Sequence, residues 1–195
     1  MMDNQSIMSD NDPTTARIAR RVHALRQQRG YSLEALAARC GVSRSMISLI
    51  ERGESSPTAV VLERLSAGLG VALASLFEDD SAPAGPLSRR AEQQEWRDPQ
   101  TGYRRRNVSP PHHPTPLQMV DVELPPQADV QYDNVPREGV IHQLVYVLEG
   151  VLEARSGDQA HRLEAGDCLA MQLDRPTGFR NPGQVPVRYL VVLAK

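Results

Sequence analysis

The segment from Ser32 to Gly53, SLEALAARCGVSRSMISLIERG, constrains the fold of this chain more than any other. Ser32 and Ser43 each precede apolar residues at helical spacing, and each side chain can accept a hydrogen bond from a backbone N–H at a helix start. Gly41 and Gly53 suit the positions at which helices end. The segment therefore predicts two short helices joined by a tight turn.

The second of these helices has an apolar face and a polar face. Met46, Ile47 and Ile50 share one side at helical spacing, which leaves the opposite side nearer to solvent. The residues on that opposite side are Arg44, Ser45, Ser48 and Leu49. A short polar face that is basic at its front predicts a surface for a DNA groove.

Further helical patterns flank this segment and complete a small all-α domain. Residues 14–29 repeat apolar side chains at helical intervals, Pro57 can occupy the first turn of a helix that ends at Gly70, and residues 72–77 supply a last short helix. We predict five helices in a domain over residues 14–79, preceded by a disordered acidic tail at 1–13.

The charge of the helical domain differs from that of the whole chain. Between residues 14 and 56 there are eight arginines and three glutamates, although the full chain carries a net charge of −2. Positive charge on a predicted groove-binding domain indicates a polyanionic partner, because arginines neutralise phosphates. Double-stranded DNA is the partner that we expect.

The composition changes between the helical domain and the rest of the chain. Residues 80–91 contain Pro83, Gly85 and Pro86, which oppose regular structure, so we predict a linker there. Short apolar runs with frequent Pro and Gly follow over residues 92–195 and predict a β-sandwich or barrel. The predicted strands are Leu117 to Leu124, Val140 to Leu148, Val151 to Ala154, Cys168 to Leu173 and Val187 to Leu193.

The predicted strand from Val140 to Leu148 is apolar on both alternating faces. Gln143, Val145 and Val147 lie on one face, and Leu144, Tyr146 and Leu148 lie on the other. Such a strand is expected to be covered on both sides. A second subunit is one candidate for the outer cover.

The helical segment resembles the helix-turn-helix domain of the Cro and phage-repressor (XRE) type, through the MISLIERG run and the GLGV turn at residues 68–71. In that family the second helix enters the major groove. The resemblance implies that Arg44, Ser45 and Leu49 face bases and that Ser43, Ser48 and Arg52 contact phosphates or support the structure. Ser32, at the start of the first helix, completes the candidate DNA-binding set. Arg44 is the leading candidate because a guanidinium can bind a guanine edge in bidentate fashion.

The C-terminal half resembles the cupin family through VYVLEG, EAGD and FRNPG. The implied fold is α + β with two domains: a five-helix domain, then an all-β cupin domain, a small double-stranded β-helix barrel. Metal-binding cupins carry three His and one Glu. Counted back from Gly150, Gln143 replaces the Glu and residues 136–139 contain no His; counted back from Asn181, Thr177 replaces the last His.

A lone amide and a hydroxyl do not replace three imidazoles and a carboxylate as ligands of a transition metal. We therefore expect no metal, no cofactor and no catalytic residues. The remaining expectation is a small pocket for an uncharged or weakly polar ligand. Its expected lining is Gln143, Val145, Val147, Thr177 and Phe179. The alternative is that Gln143 and Thr177 satisfy each other in a filled core.

Together these patterns predict a homodimeric, sequence-specific transcriptional regulator that binds a palindromic operator and senses a small-molecule effector of unknown identity. One alternative is a structural DNA-binding dimer without a ligand response. Another is a cupin isomerase or oxygenase with an appended helical domain, for which His142, Tyr146, Tyr189 and Asp174 are available by type.

The location expected for the chain is the cytoplasm, without membrane association. No apolar run approaches the roughly 20 residues that span a bilayer, and the first dozen residues lack the apolar core of a secretion signal. Cys40 and Cys168 do not have the spacing of a metal site, and we expect both to be reduced and packed.

Overall fold

The structure is a computed structural model that describes residues 13–77, 85–111, 113–134 and 141–194. The predicted tail lies outside these residues except for Pro13, which begins the first helix, and most of the predicted linker lies outside them as well. A helical region is followed by a β-rich, cupin-like region. No helix among the described residues is long and apolar enough to cross a membrane.

The helical region contains four α-helices and a 3₁₀ helix, so the prediction of five α-helices is corrected. The elements are α1 (Pro13–Gln28), α2 (Leu33–Cys40), α3 (Arg44–Glu51), α4 (Ala59–Leu69) and the 3₁₀ helix Leu73–Phe77. The last element has only five residues, and short helical segments commonly take the tighter 3₁₀ form. Helix α4 begins after its cap Thr58, not at Pro57.

The caps of α2 and α3 form as the sequence predicts. The Ser32 hydroxyl accepts from Ala35 N at 3.1 Å, and the Ser43 hydroxyl accepts from Met46 N at 3.2 Å. Between them Gly41 has a φ of 65°, in the left-handed region where a Cβ is disfavoured, and its N–H bonds to Ala37 O. This glycine sets the direction in which α3 leaves α2.

Helix α2 also packs closely on α4. A Cβ placed on Gly68 would lie 2.7 Å from the Cβ of Cys40, which is closer than side-chain carbons approach one another. The buried side chains of Leu36, Leu62 and Leu65 belong to the same helical core. The absence of a side chain at Gly68 therefore allows α2 to approach α4.

The β-rich region contains ten strands among the described residues, in two antiparallel sheets. The first sheet has the order β1-β2-β3-β10-β5-β8, and the second has the order β4-β9-β6-β7. The strands are β1 (Glu95–Arg97), β2 (Arg104–Asn107), β3 (Leu117–Leu124), β4 (Asp129–Tyr132), β5 (His142–Glu149), β6 (Val151–Ser156), β7 (Gln159–Glu164), β8 (Cys168–Gln172), β9 (Thr177–Arg180) and β10 (Val187–Ala194).

The strand pairings do not close the predicted barrel among the described residues. They join the described strands into two separate sheets whose inner faces meet in a common core. Phe179 on β9 stacks on Tyr189 on β10 with ring centroids 5.7 Å apart, so side chains from the two sheets interdigitate. Cys40 is buried as expected, but Cys168 is exposed because its strand, β8, is an edge of the first sheet.

The helical and β-rich regions pack against each other through several contacts. Phe77 lies against Trp96 with ring centroids 5.6 Å apart, and both side chains are buried. Asp98, just after β1, accepts from the backbone N–H of Ala59 at 3.2 Å, at the start of α4. Arg64 of α4 donates to Asp133 at 3.0 Å from Nε. The cupin-like region thus touches the last two helical elements directly.

A buried ion pair holds α3 against α1. Arg26 donates from Nε and Nη2 to the two oxygens of Glu51 at 2.6 and 2.7 Å, and the two side chains are only 9% and 8% exposed. Arg26 also donates to Tyr31 O at 2.9 Å. Burial disfavours the charge of Glu51, but hydrogen bonds from Arg26 and His23 outweigh it, so the pKa of Glu51 lies below its ordinary value.

The first prediction concerns this ion pair. Glu51→Gln leaves the Arg26 charge buried without a carboxylate, so the free energy of unfolding of the helical region should fall by about 3–5 kcal/mol. Chemical denaturation followed by the helical circular dichroism signal measures it. Arg26→Met combined with Glu51→Leu should recover part of the loss, whereas Glu54→Gln, whose partner Arg52 is exposed, should have little effect.

The same ion pair predicts a pH dependence. Because folding lowers the pKa of Glu51, its contribution is complete above the unfolded pKa of about 4.3 and disappears as the pH falls through the lowered folded pKa. The acid loss of stability should therefore be shallower in Glu51→Gln than in the wild type. Equal slopes in acid denaturation would contradict this role for Glu51.

Candidate functional site

The polar face of α3 is open to solvent at its N-terminal end. Ser43, Arg44 and Ser45 are exposed, while Ser48 and Leu49 are half-buried. The hydroxyls of Ser43 and Ser45 lie 3.1 Å apart, so they form one polar cluster at the helix start. Backbone N–H groups at a helix N-terminus attract phosphate, which makes this end suited to a nucleic-acid backbone.

Arg44 forms an ion pair with the preceding helix. Its Nε lies 2.5 Å from Oε1 of Glu34 in α2, and both side chains are about two-thirds exposed. The pKa of Glu34 lies below its ordinary value. The Glu34 carboxylate accepts hydrogen bonds from the Glu34 backbone N–H and from Ser32, and the charge of Arg44 lowers the pKa further. Ser32 therefore supports the pair as well as capping α2. Arg44 must leave Glu34 before its guanidinium can bind a base.

Arg52, at the other end of α3, is also engaged with a carboxylate. Its Nε and Nη2 donate to the two oxygens of Glu54 at 2.8 and 2.7 Å, and its Nη1 donates to Ser48. These side chains lie near the surface, where water and salt screen such pairs. Contact with a phosphate would replace Glu54 as the partner of Arg52.

Several arginines that raise the positive charge of this region have structural contacts. Arg26 is buried against Glu51. Arg39 donates to Gly68 O at 3.2 Å, and its guanidinium lies 4.8 Å from the centre of the Tyr31 ring. The arginine count in the sequence therefore overstates the charge that is free to meet DNA, because sequence composition does not separate inward from outward guanidinium groups.

A cavity of about 50 Å³ lies between the two regions of the chain. Glu63, Ala72 and Leu73 line it from the helical side. The cupin-like side contributes Tyr103, Arg105, Tyr132, Asn134, Ile141, Gln143, Leu173, Thr177, Phe179, Tyr189, Val191 and Leu193. The sequence did not predict that the helical region would form part of this wall.

The structure brings three of the five expected pocket residues to this wall: Gln143, Thr177 and Phe179. Val145 and Val147 do not line it, because they are fully buried in the core between the sheets. Gln143 and Thr177 do not form a hydrogen bond with each other, as the alternative would require. Gln143 Nε2 lies 3.6 Å from Met171 Sδ, and the Thr177 hydroxyl accepts from Asn134 Nδ2 at 2.7 Å.

Three tyrosines and one arginine are among the polar side chains that line the cavity. Burial raises the pKa of Tyr132 and Tyr189 well above the ordinary range, so both phenols are neutral at physiological pH. Arg105 is buried, and its guanidinium carbon lies 5.7 Å from the centre of the Phe77 ring. Sequence analysis missed Arg105 because it did not predict β2, in which strand alternation turns Arg105 inward between Arg104 and Arg106.

Metal-ligating side chains are not gathered in the described part of the chain. No group of three or more His, Cys, Asp or Glu there has the arrangement of a metal site. Gln143 and Thr177 occupy the motif positions considered above, and their contacts are to Met171 and Asn134. Both are neutral side chains, so this pair offers a transition metal neither an imidazole nor a carboxylate.

Comparison with known proteins relates both regions to established families. A helix-turn-helix model matches residues 22–76, and a cupin-domain model matches residues 120–193. The chain is 29% identical over 165 residues to the HTH-type transcriptional regulator SutR of Escherichia coli (strain K12), covering 85% of this chain and 87% of SutR. It is 38% identical over 64 residues to the control protein C.MunI of Mycoplasma sp, covering 32% of this chain and 86% of C.MunI.

A solved structure resembles nearly the whole chain. The crystal structure of an HTH_3 family transcriptional regulator from Vibrio cholerae has a TM-score of 0.75 and 26% sequence identity, and the match covers 93% of this chain and 97% of that one. The order of the two regions and their packing are therefore shared with a transcriptional regulator.

The second prediction concerns the buried phenols. Unfolding returns the pKa of Tyr132 and Tyr189 to about 10, so above about pH 10 the unfolded state loses these protons first and the free energy of unfolding falls. Tyr189→Phe should make this alkaline loss smaller than in the wild type. Denaturation measured at about pH 8 and about pH 11 tests it, and an unchanged loss would mean that Tyr189 is not shielded from solvent.

Proposed function

Since the chain belongs to the XRE-type helix-turn-helix transcriptional regulators and carries a C-terminal cupin domain, we propose that it is a homodimeric, sequence-specific DNA-binding regulator controlled by a small-molecule effector. The observation that carries the proposal is the cavity between the domains, because a ligand bound there touches both the cupin wall and α4. Such a ligand has contacts that depend on how the domains are arranged.

Binding to DNA rests on the open N-terminal end of α3. The proposal assigns Arg44, Ser45 and Leu49 to base edges and Ser43, Ser48 and Arg52 to phosphates or to support of the structure. The exposure of Ser43, Arg44 and Ser45 at the start of α3 supports this assignment. The ion pairs of Arg44 with Glu34 and of Arg52 with Glu54 are exposed, so exchanging a carboxylate for phosphate or a base costs little.

Dimerisation rests on the outer face of the first sheet. Tyr146 and Leu144 on β5 are 41% and 43% exposed, and Met119 on β3 is 37% exposed. The strand register places half-buried Val192 of β10 between Leu144 and Met119, so the apolar surface is continuous across three strands. A second copy is the occupant that we propose, because one helix-turn-helix domain covers only one half-site and a palindrome needs two.

A regulatory role is favoured over the enzyme alternative by the positions of the candidate acid–base groups. His142 and Tyr146 are exposed, and Asp174 is paired with Arg175 at 2.7 Å. Tyr189 lines the cavity, but burial raises its pKa well above the ordinary range, which makes the phenol a poor acid at neutral pH. These positions do not assemble an acid–base pair in the cavity.

The test of the proposal is selection of genomic fragments by the purified full-length protein at near-physiological salt, followed by sequencing of the bound pool. Enrichment of a palindrome with two half-sites supports the dimeric regulator. Retention of DNA without enrichment of any sequence would contradict sequence-specific binding. Metabolite pools are then added to the protein–DNA complex, and release of the DNA is measured to find whether it depends on an effector.

The third prediction concerns Arg44. If it contacts a base, Arg44→Ala should weaken binding to the selected site by about 1–3 kcal/mol and weaken binding to unrelated DNA much less. Fluorescence anisotropy with both DNAs measures the two losses. Arg90→Ala, an arginine outside the helix-turn-helix, is the matched control and should change neither. Equal losses on both DNAs would make Arg44 a phosphate contact.

The fourth prediction concerns the outer sheet face. Tyr146→Asp places a charge in the proposed interface and should weaken dimerisation roughly thirtyfold or more. Analytical ultracentrifugation over a concentration series measures the dissociation constant. Val185→Asp is the control, since Val185 is also an exposed hydrophobic side chain but lies before β10, outside the proposed interface. A dimer of unchanged strength in Tyr146→Asp would exclude this face.

A further inference from the structure

Arg105 is a buried cation whose binding edge is unoccupied. It is 5% exposed, and its Nε and Nη2 atoms are buried without a hydrogen-bond partner among the described residues. A buried guanidinium without a partner is costly, because desolvation of the charge is not offset by a hydrogen bond. Its one stacking contact among the aromatic rings described above is with Phe77. What Arg105 lacks is an acceptor for the hydrogen bonds of Nε and Nη2.

The chain itself shows what normally occupies that edge. Arg26, Arg52 and Arg188 each use Nε and Nη2 together to bind a carboxylate, on Glu51, Glu54 and Asp121 respectively. The distances in these pairs run from 2.6 to 3.0 Å. This parallel arrangement is the bidentate fork that fits two oxygens of one carboxylate. Arg105 presents the same two nitrogens with that place unfilled.

The surroundings of Arg105 match an organic acid better than an inorganic anion. The same cavity is lined by apolar side chains that include Ile141, Leu173 and Leu193, together with the neutral phenols of Tyr132 and Tyr189. Apolar walls favour a ligand with a short hydrocarbon part, which an inorganic anion lacks.

The size of the cavity limits the ligand. A cavity of about 150 Å³ holds a molecule of benzene, so a space of about 50 Å³ accommodates a carboxyl group with few further atoms. The ligand is therefore limited to roughly one or two carbons.

We infer that Arg105 binds the carboxylate of a small organic acid, with roughly one or two carbons, in the cavity between the cupin domain and α4. The inference rests on the proposed effector function and names the chemical class of the effector. The bound acid contacts Arg105 of β2 on one domain and residues of α4 and the 3₁₀ helix on the other. Binding of the acid to Arg105 therefore depends on how the two domains are arranged.

The fifth prediction tests this inference on the full-length protein. Formate and acetate are titrated by calorimetry, with formamide and acetamide as neutral analogues of equal shape and sodium chloride as an inorganic anion. At least one acid should bind saturably, and its amide and chloride should not. Arg105→Lys keeps the charge but removes the fork, and should weaken that binding roughly tenfold or more.

Two further variants separate loss of the site from loss of the fold. Arg104→Lys changes the neighbouring arginine of the same strand, which pairs with Glu123, and should leave binding unchanged. Arg105→Met removes the charge and should abolish binding while the unliganded protein keeps its circular dichroism spectrum. Equal binding of acids and amides, no binding of any acid, or wild-type binding by a folded Arg105→Lys or Arg105→Met would overturn the inference.

The effect on DNA is measured separately, so that the two proposals fail in different ways. Operator affinity is determined with and without the acid that binds most tightly. An acid that binds through Arg105 without changing operator affinity upholds this inference and contradicts the effector role. Operator affinity that responds to an amide or another neutral metabolite, but to no acid, upholds the effector role and contradicts the inference.

Discussion

The contact of Phe77 with Trp96 holds the two domains of this regulator together. Phe77 ends the helical region, and Trp96 lies in the first strand of the cupin-like region, so the contact spans the chain at its domain boundary. Trp96 in turn meets Tyr103 edge to face, and the guanidinium of Arg105 lies over the Phe77 ring. The cavity wall is therefore continuous with the aromatic cluster that joins the domains, since Tyr103 and Arg105 belong to both.

The sequence predicts the elements whose signals are local. The Ser32 and Ser43 caps, the turn at Gly41 and the strand Leu117–Leu124 all agree with the structure, because capping chemistry and apolar alternation are carried by neighbouring residues. Strands β1 and β2 have no such signal, since each carries arginine beside its one buried residue. Their pairing comes from the sheet, which a local pattern does not contain.

The candidate sites divide in the same way. The polar face of α3 follows from helical periodicity within eight residues, so its side chains could be named from the sequence, whereas the DNA roles proposed for them come from the resemblance to helix-turn-helix domains. The cavity depends on side chains from α4, the 3₁₀ helix, β2, β4, β5, β9 and β10, and its wall crosses a domain boundary. Arg26 and Arg105 look like surface charges in the sequence, and only tertiary packing turns them into a structural clamp and a buried cation.

The bond from Ala59 N–H to Asp98 gives the chain an order of assembly during synthesis. The N-terminal helices leave the ribosome before Asp98 is translated, so α4 initially has only Thr58 as its own cap and an N–H of its first turn is open to water. The helix reaches its final stability only when the first strand of the cupin docks. A nascent helical region therefore lacks this hydrogen bond until Asp98 has been made and has reached the start of α4.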